Sequence, residues 1–368
     1  MHFAKPPARR GSSSRHRGRR RREQWDLTRM ADDSIARSMG RRLLRRADVT
    51  GRIAVPAVPA MLEDYVEMLD SIFLGIGVEF TDEEIDALRA ALDSQLKRAF
   101  EESPRSEIVI TYSSPLGLVV NYEIHAHWSS VGSTYDNWTS TRQPPYFGTE
   151  PDARVLALSV ATAEPADCAV LDLGAGTGRN ALILARRGHP VDAVELAPKF
   201  ADTLREEAQR DSLPIRVVEG DILSSDLDLR RDYGLIILSE VTSDFRSVDD
   251  LRTVFMLAAN HLAPGGEFVL SAFVARDDYT PDAAALQWGQ QCYSSMFTRA
   301  QITAAIAGLP LELISDESVY EFEKAHLPAV AWPPTSWYEG WVTGNDVYDL
   351  AREETPIQMR WLVYRRNL

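Results

Sequence analysis

The sequence predicts an α/β protein built on an open, mostly parallel sheet with helices on both faces. From about residue 153 onward, short apolar runs alternate with helical patterns, the order imposed by a parallel sheet that is covered on both sides. One junction is the glycine-rich segment Gly174-Ala175-Gly176-Thr177-Gly178, placed where a tight turn brings backbone amides close to a ligand. Acids fall at the carboxyl ends of successive strands, at Asp172, Glu195 and Asp221, beside the crevice where open α/β sheets bind ligands.

A chain of 368 residues is long enough for one large domain with a substantial addition, or for two. Its 45% hydrophobic and 26% charged residues are ordinary for a globular protein, and no apolar run approaches the roughly 18 residues of a membrane helix. Residues 1–29 hold 10 Lys and Arg against 2 acids, so of the totals of 40 and 54 the remainder keeps 30 and 52, a net charge of −22. A body so acidic repels a phosphate backbone and points to a small or neutral partner instead of a nucleic acid. The basic head lacks interleaved aromatics and is read, over residues 1–33, as a disordered segment. Met30 is an alternative natural start, which would leave residues 1–29 outside the native protein. Cys168 and Cys292 stand far apart and in no metal-type spacing, which fits a reducing cytoplasm and predicts no metal site.

Leu62, Tyr65, Val66, Leu69, Ile72 and Phe73 recur at helical spacing. Thr81 with Glu84 forms a capping box for a second helix, along which Ile85, Leu88, Leu92 and Leu96 share a face. The two can pack as a hairpin. Residues 108–112 and 117–128 read as strands joined by a Ser-Pro turn, a plausible β-hairpin. His125 and His127 alternate on the second strand and so share a face. Residues 129–150 read as an ordered connecting loop.

The core strands are predicted at 169–173, 190–194, 215–218, 235–238 and 267–271, with helices over 179–187, 199–210 and 248–261. Leu262-Ala263-Pro264-Gly265-Gly266 reads as a turn before the fifth strand. Residues 311–320 and 356–365 supply two further strands.

A Gly-x-Gly turn also serves dinucleotide enzymes. A dinucleotide fingerprint would place its third glycine at position 179, which is Arg179, and the carboxylate of Asp172 would repel a pyrophosphate. A cofactor carrying a sulfonium and an ammonium would gain from it. The run Asp172-Leu173-Gly174-Ala175-Gly176-Thr177-Gly178 resembles motif I of class I S-adenosylmethionine-dependent methyltransferases. Arg179-Asn180 is similar to the tellurite-resistance-type and small-molecule members. The resemblance implies a Rossmann-like sheet of seven mostly parallel strands, with a helical and β-hairpin extension before it and an aromatic insertion ahead of the last strand. It divides the chain into an N-terminal region, 34–145, that caps the acceptor side, and a cofactor domain, 146–368, with its insertion at 322–355. It assigns the ribose hydroxyls to Glu195 with Leu196 beside it, the adenine amine to Asp221 between Gly220 and Ile222, and the loop contacts to residues 172–178 and Asn180. Taken singly, Asp172 reads equally well as a helix cap, Glu195 as a surface acid and Asp221 as a turn residue.

The acceptor is expected beyond the fourth strand, at Ser239 and Glu240. The base-methylating Asn-Pro-Pro-Tyr pattern is missing there. Glu240 is the first candidate general base, the alternative being a carboxylate bonded to loop amides. Tyr135, Trp138 and Arg142 are candidate pocket residues of a lid, against plain packing. His127 is a further catalytic candidate and His125 an acceptor contact, against a satisfied surface pair. Trp337 and Trp341 lie in an unusually aromatic insertion that either covers the acceptor pocket or clasps the N-terminal helices or a second subunit, as in a homodimer. The activity expected is methyl transfer to an O, N or C atom of a small molecule. The alternatives are a peptide or protein methyltransferase, or a non-catalytic S-adenosylmethionine-binding module.

Overall fold

The structure, a computed structural model, describes residues 33–43, 48–115, 119–130, 132, 135, 137, 141–160, 164–224 and 226–367. The basic head through residue 32 and Trp138 lie outside the described residues. The chain forms two compact units interleaved in sequence. One gathers the described residues up to Ile53 with Asp64–Ala90 and Ile110–Ile124. The other gathers Ala54–Glu63, Ala91–Val109 and His125–Leu368.

The first unit is centred on Phe73, fully buried in α1 (Leu62–Gly75). Its ring lies 5.2 Å from Phe80, 5.5 Å from Tyr112 and 6.0 Å from Tyr122. Strands β1 (Val49–Pro56), β2 (Glu107–Ser114) and β3 (Asn121–His127) pair in that order. The predicted pair β2 and β3 is therefore present, and β1 joins it as a strand the pattern did not reveal. Gly51 on β1 lies under the Tyr112 ring, where a Cβ would come within 2.2 Å of Cζ. Helix α2 (Asp82–Glu102) begins at the predicted box, with the Thr81 amide donating to Glu84 Oε2 at 2.8 Å and the Glu84 amide to Thr81 Oγ1 at 3.3 Å.

The second unit is built on a sheet whose order is β10-β11-β8-β7-β4-β5-β6, with the two-residue β9 (Met296–Phe297) paired to β8. Strands β4 (Val170–Leu173), β5 (Val191–Glu195), β6 (Ile215–Glu219), β7 (Tyr233–Leu238) and β8 (Leu262–Ala275) run parallel. β11 (Ile357–Arg366) is antiparallel to both β8 and β10 (Leu311–Ser318). Two hydrophobic clusters cover the two faces, so the near-continuous apolar runs of β4 and β7 follow from burial on both sides. One face carries α3 (Ala153–Val160), α4 (Arg179–Arg186), α5 (Pro198–Arg210), α9 (Val319–His326) and α10 (Tyr338–Val342). The other carries α6 (Val248–His261) and α8 (Arg299–Ile306).

Two expectations are corrected, and one stretch without a prediction is filled. Residues 262–266 are the irregular start of β8, with a register shift against β7 and Gly265 at φ +77°, because Pro264 and the glycines bend the strand without ending it. β10 stops at Ser318, whose hydroxyl accepts the Glu321 amide and starts α9 where continued strand was expected. Helices α7 (Ala283–Gln291) and α8 occupy a stretch that carried no prediction, each capped by a side chain, Asp282 and Thr298.

Candidate functional site

A cavity of about 440 Å³ opens at the carboxyl edge of the parallel strands. The glycine loop between β4 and α4 forms one wall. Gly174, Gly176 and Gly178 have φ of +71°, +56° and +93°, a region L side chains enter only with strain. A Cβ on Gly174 would meet Val241 Cγ2 at 2.4 Å, and one on Gly178 would meet Leu204 Cδ1 at 2.3 Å. Gly178 therefore does not line the cavity. It is the residue before α4 and lets that helix approach α5.

Glu195 ends β5 and binds the loop directly: its Oε2 accepts the Gly176 amide at 2.7 Å and its Oε1 the Ala197 amide at 2.8 Å. Burial raises its pKa, and the Ala197, Gly176 and Leu196 amides oppose the rise. Each oxygen keeps acceptor capacity toward the cavity, since a carboxylate offers about four sites. Gly220 lies behind this residue, its amide donating to the Glu195 carbonyl at 3.0 Å, and it too does not line the cavity. Asp221, Ile222 and Leu196 do.

Asp172 is 2% exposed and lines the cavity. Its carboxylate receives the Ala181 amide, while Oδ2 has no partner. Burial and then Asp152 push its pKa up to about 7, with Arg179 acting against them.

Arg179 is the centre of a cluster the sequence did not disclose. Its Nη1 lies 2.6 Å from Asp152 Oδ1 and its Nη2 2.8 Å from Glu240 Oε1. Burial opposes its charge, but Asp152 and Glu240 hold its pKa above the ordinary guanidinium value. Asp152 Oδ2 also accepts Ser239 Oγ at 2.6 Å and Asn180 Nδ2 at 2.8 Å. Asn180 and Ser239 line the cavity, yet they face Asp152 as partners, and Asn180 Oδ1 accepts the Asp152 amide as well. Glu240 follows β7 at φ +63°. Burial raises its carboxyl pKa to about 7 against the pull of Arg179.

Tyr135 donates to Asp244 Oδ2 at 3.0 Å. Arg105 Nη2 reaches Asp244 Oδ1 at 2.5 Å, and its guanidinium carbon stands 3.5 Å from the centre of the Tyr293 ring. Tyr293, at φ +57°, accepts Trp341 Nε1 on its carbonyl at 2.7 Å. Among the described residues three non-glycine positions have positive φ, Ser212, Glu240 and Tyr293, and the last two line the cavity, where backbone strain is concentrated when geometry matters to function. Trp337 and Trp341 line it too, their ring centres 5.4 Å apart, and Trp341 packs 5.7 Å from Phe273 on β8. Trp332, in the same insertion, packs on Tyr320 and Tyr338.

Tyr135, Arg142, Trp337, Trp341 and Glu240 are thus brought to one cavity. His125 and His127 are not: both lie on the exposed face of β3 and outside it. Alternation showed that they share a face but not which way that face points. Asp152, Asp244 and Arg105 carried no sequence signal, because their partners are distant along the chain. Among the described residues no group of three His, Cys, Asp or Glu could hold a metal ion, and no helix is long and apolar enough to cross a membrane.

Residues 170–266, the glycine loop through the start of β8, match the family model described as a methyltransferase domain. The segment whose glycine loop resembles motif I is thus the one that matches a methyltransferase domain. Hemagglutinin 1 of Eikenella corrodens is 31% identical over 123 residues, 33% of this chain and 40% of that protein. Demethylmenaquinone methyltransferase of Tropheryma whipplei (strain Twist) is 29% identical over 105 residues, 28% of this chain and 41% of that one. The chain thus spans about two fifths of the length of the curated relatives it matches. Among solved structures, geranyl diphosphate C-methyltransferase from Streptomyces coelicolor A3(2) is similar over 58% of this chain and 78% of that one, at 17% identity and a TM-score of 0.46.

Proposed function

We propose that this protein transfers a methyl group from S-adenosylmethionine to an O, N or C atom of a small molecule. The observation that carries the reading is the buried, unpartnered Asp172 Oδ2 beside a glycine loop tied to Glu195. A cationic cofactor satisfies that carboxyl group, whereas a pyrophosphate would be repelled by it. Glu195 has acceptor capacity left for the ribose hydroxyls, and Asp221 with Ile222 lies where the adenine is expected. The residues present fit the cofactor.

When bound, S-adenosylmethionine supplies an electrophilic methyl group on a sulfonium sulfur. The chain's own part is to orient the acceptor, exclude water and accept a proton where the acceptor is neutral. Tyr135 and Phe147 each pack 5.6 Å from Phe200, an aromatic wall that keeps water out. Glu240, with its pKa raised by burial, is the group placed to accept a proton. The pairing with Arg179 fixes its orientation. The cavity volume falls in the small-molecule range of roughly 300–1,000 Å³, which favours a small acceptor over a peptide.

The test is transfer of a labelled methyl group from S-adenosylmethionine to a set of small phenols, amines and carbon acids. Turnover that is lost in Glu195→Ala and Asp172→Asn supports the reading. Tight cofactor binding without turnover on any acceptor favours a non-catalytic binding module.

A further inference from the structure

The geometry points to Arg105 as a positioning residue for the acceptor: it does not line the cavity, but it sets the wall against which the acceptor packs. The inference rests on the methyltransferase reading and gives a task to a residue which that reading leaves unused.

Arg105 sits in the turn between α2 and β2. Serines fix that turn, the Ser106 amide donating to the Ser103 carbonyl at 3.0 Å and the Arg105 amide to Ser103 Oγ at 3.2 Å. The Arg105 side chain is 6% exposed and meets three groups at once. Nη2 donates to Asp244 Oδ1, in the short turn that follows β7. Nη1 donates to the carbonyls of Gln290 and Gln291, the latter at 2.8 Å. These end α7, where a helix leaves its own carbonyls without donors and favours a cation. The guanidinium also lies over the Tyr293 ring, a cation against an aromatic face.

Two of the groups so held, Asp244 and Tyr293, line the cavity. Each passes the constraint on, Asp244 by accepting the Tyr135 hydroxyl and Tyr293 by accepting Trp341 Nε1 on its carbonyl. Tyr293 stands at φ +57°, a conformation that persists in a non-glycine residue only where its surroundings over-determine it. The guanidinium on its ring and the indole on its carbonyl do so. One buried fork therefore fixes four lining side chains. Among the described residues it makes no bond to the glycine loop or to the ends of β5 and β6. A lysine would keep the charge but lack both the fork and the flat face.

The experiment compares the full wild-type chain with Arg105→Lys and with the double variant Arg105→Met, Asp244→Asn, which leaves no buried acid stranded and so protects the fold. The first measurement is alkylation by iodoacetamide with S-adenosylhomocysteine present, located by peptide mass. Cys292 lines the cavity beside Tyr293, and the other cysteine, Cys168, is buried. In both variants Cys292 should react about tenfold faster, as local opening becomes easier, with Cys168 still protected. Burial and then Asp346 push the Cys292 thiol up to about 11, and Arg105 acts against them. Removing the cation would by itself slow the reaction, so acceleration in the double variant reports movement of the wall. The second measurement is steady-state transfer to the best acceptor of the phenol, amine and carbon-acid set. For that acceptor kcat/KM should fall about a hundredfold in both variants, the cost of an ångström-scale misplacement, with the S-adenosylhomocysteine affinity unchanged. A wild-type Cys292 rate, full acceptor kcat/KM in Arg105→Lys, equal losses for acceptor and cofactor, or alkylation of Cys168 alongside Cys292 would overturn the proposal. Absence of turnover on every acceptor would instead be failure of the methyltransferase reading, and the alkylation rates would still decide whether Arg105 sets the cavity wall.

Discussion

Arg179 Nη2 lies 2.8 Å from Glu240 Oε1, with both side chains buried at the carboxyl edge of the sheet. The residue that follows the glycine loop thereby holds Glu240, just past β7, and Asp152, immediately before α3, completes the bridge.

Removing the cation leaves two buried acids uncompensated. Arg179→Met is expected to destabilise the fold by about 3–5 kcal/mol, the usual cost of breaking a buried pair from one side. Arg179→Lys should recover only part of it, because a single ammonium cannot match a fork reaching two carboxylates. Chemical denaturation checks both, and an unchanged midpoint in Arg179→Met would show that the bridge contributes nothing.

Asp172, Glu240 and Glu323 are buried acids whose pKa values burial pushes up to about 7. Their folded values lie above their unfolded ones, so the native state holds more protons between about pH 4 and 7, and stability falls as pH rises through that window. Melting of the ligand-free protein should move to lower temperature from about pH 5 to about pH 8. The added stabilisation by S-adenosylmethionine should be larger at the higher pH, since a cation favours the ionised Asp172. A ligand-free melting temperature that climbs over this range would contradict the assignment.

Gly174→Ala sets a side chain where Val241 already stands, in a backbone region alanine avoids. S-adenosylhomocysteine binding should drop at least a hundredfold. Gly265→Ala is the matched control: its φ is also positive, but no atom lies within 4 Å of the added Cβ. A titration of each variant should show binding retained in the control alone.

Trp337→Ala should raise the acceptor Michaelis constant far more than that of the cofactor, because Trp337 lines the cavity beside Trp341 in the insertion and not in the glycine loop or at the ends of β5 and β6. Steady-state kinetics with each substrate varied in turn reads this directly. Equal effects on both constants would mark the insertion as a structural clasp.

Much of the second unit was legible because its signals are local. Apolar runs fixed β4 to β7 to within two residues, and the glycine loop declared itself through residue types that a left-handed backbone needs. Strand β1 was not legible, since Gly51, Arg52 and Pro56 break the expected pattern. Nor were α7 and α8, where Asp282 and the reciprocal Thr298–Gln301 box cap segments with no strong amphipathic stripe behind them. The acids Asp172, Glu195 and Asp221 could be placed by their position at strand ends. The Asp152–Arg179–Glu240 bridge and the Arg105–Asp244–Tyr135 chain could not, because they join residues from 27 to 139 positions apart in sequence and nothing in the local pattern pairs them. Of the insertion's tryptophans, Trp337 and Trp341 line the cavity, while Trp332 packs on Tyr320 and Tyr338.

The central claim is that the acid-flanked glycine loop holds a cationic, adenosine-bearing cofactor. Calorimetric titration of the full chain with S-adenosylmethionine, and in parallel with NAD⁺, tests it most directly. The account predicts one site for S-adenosylmethionine, weakened at least tenfold in Asp172→Asn and more in Glu195→Ala, with no heat from NAD⁺. Binding of NAD⁺ in preference, or S-adenosylmethionine binding indifferent to both substitutions, would contradict it.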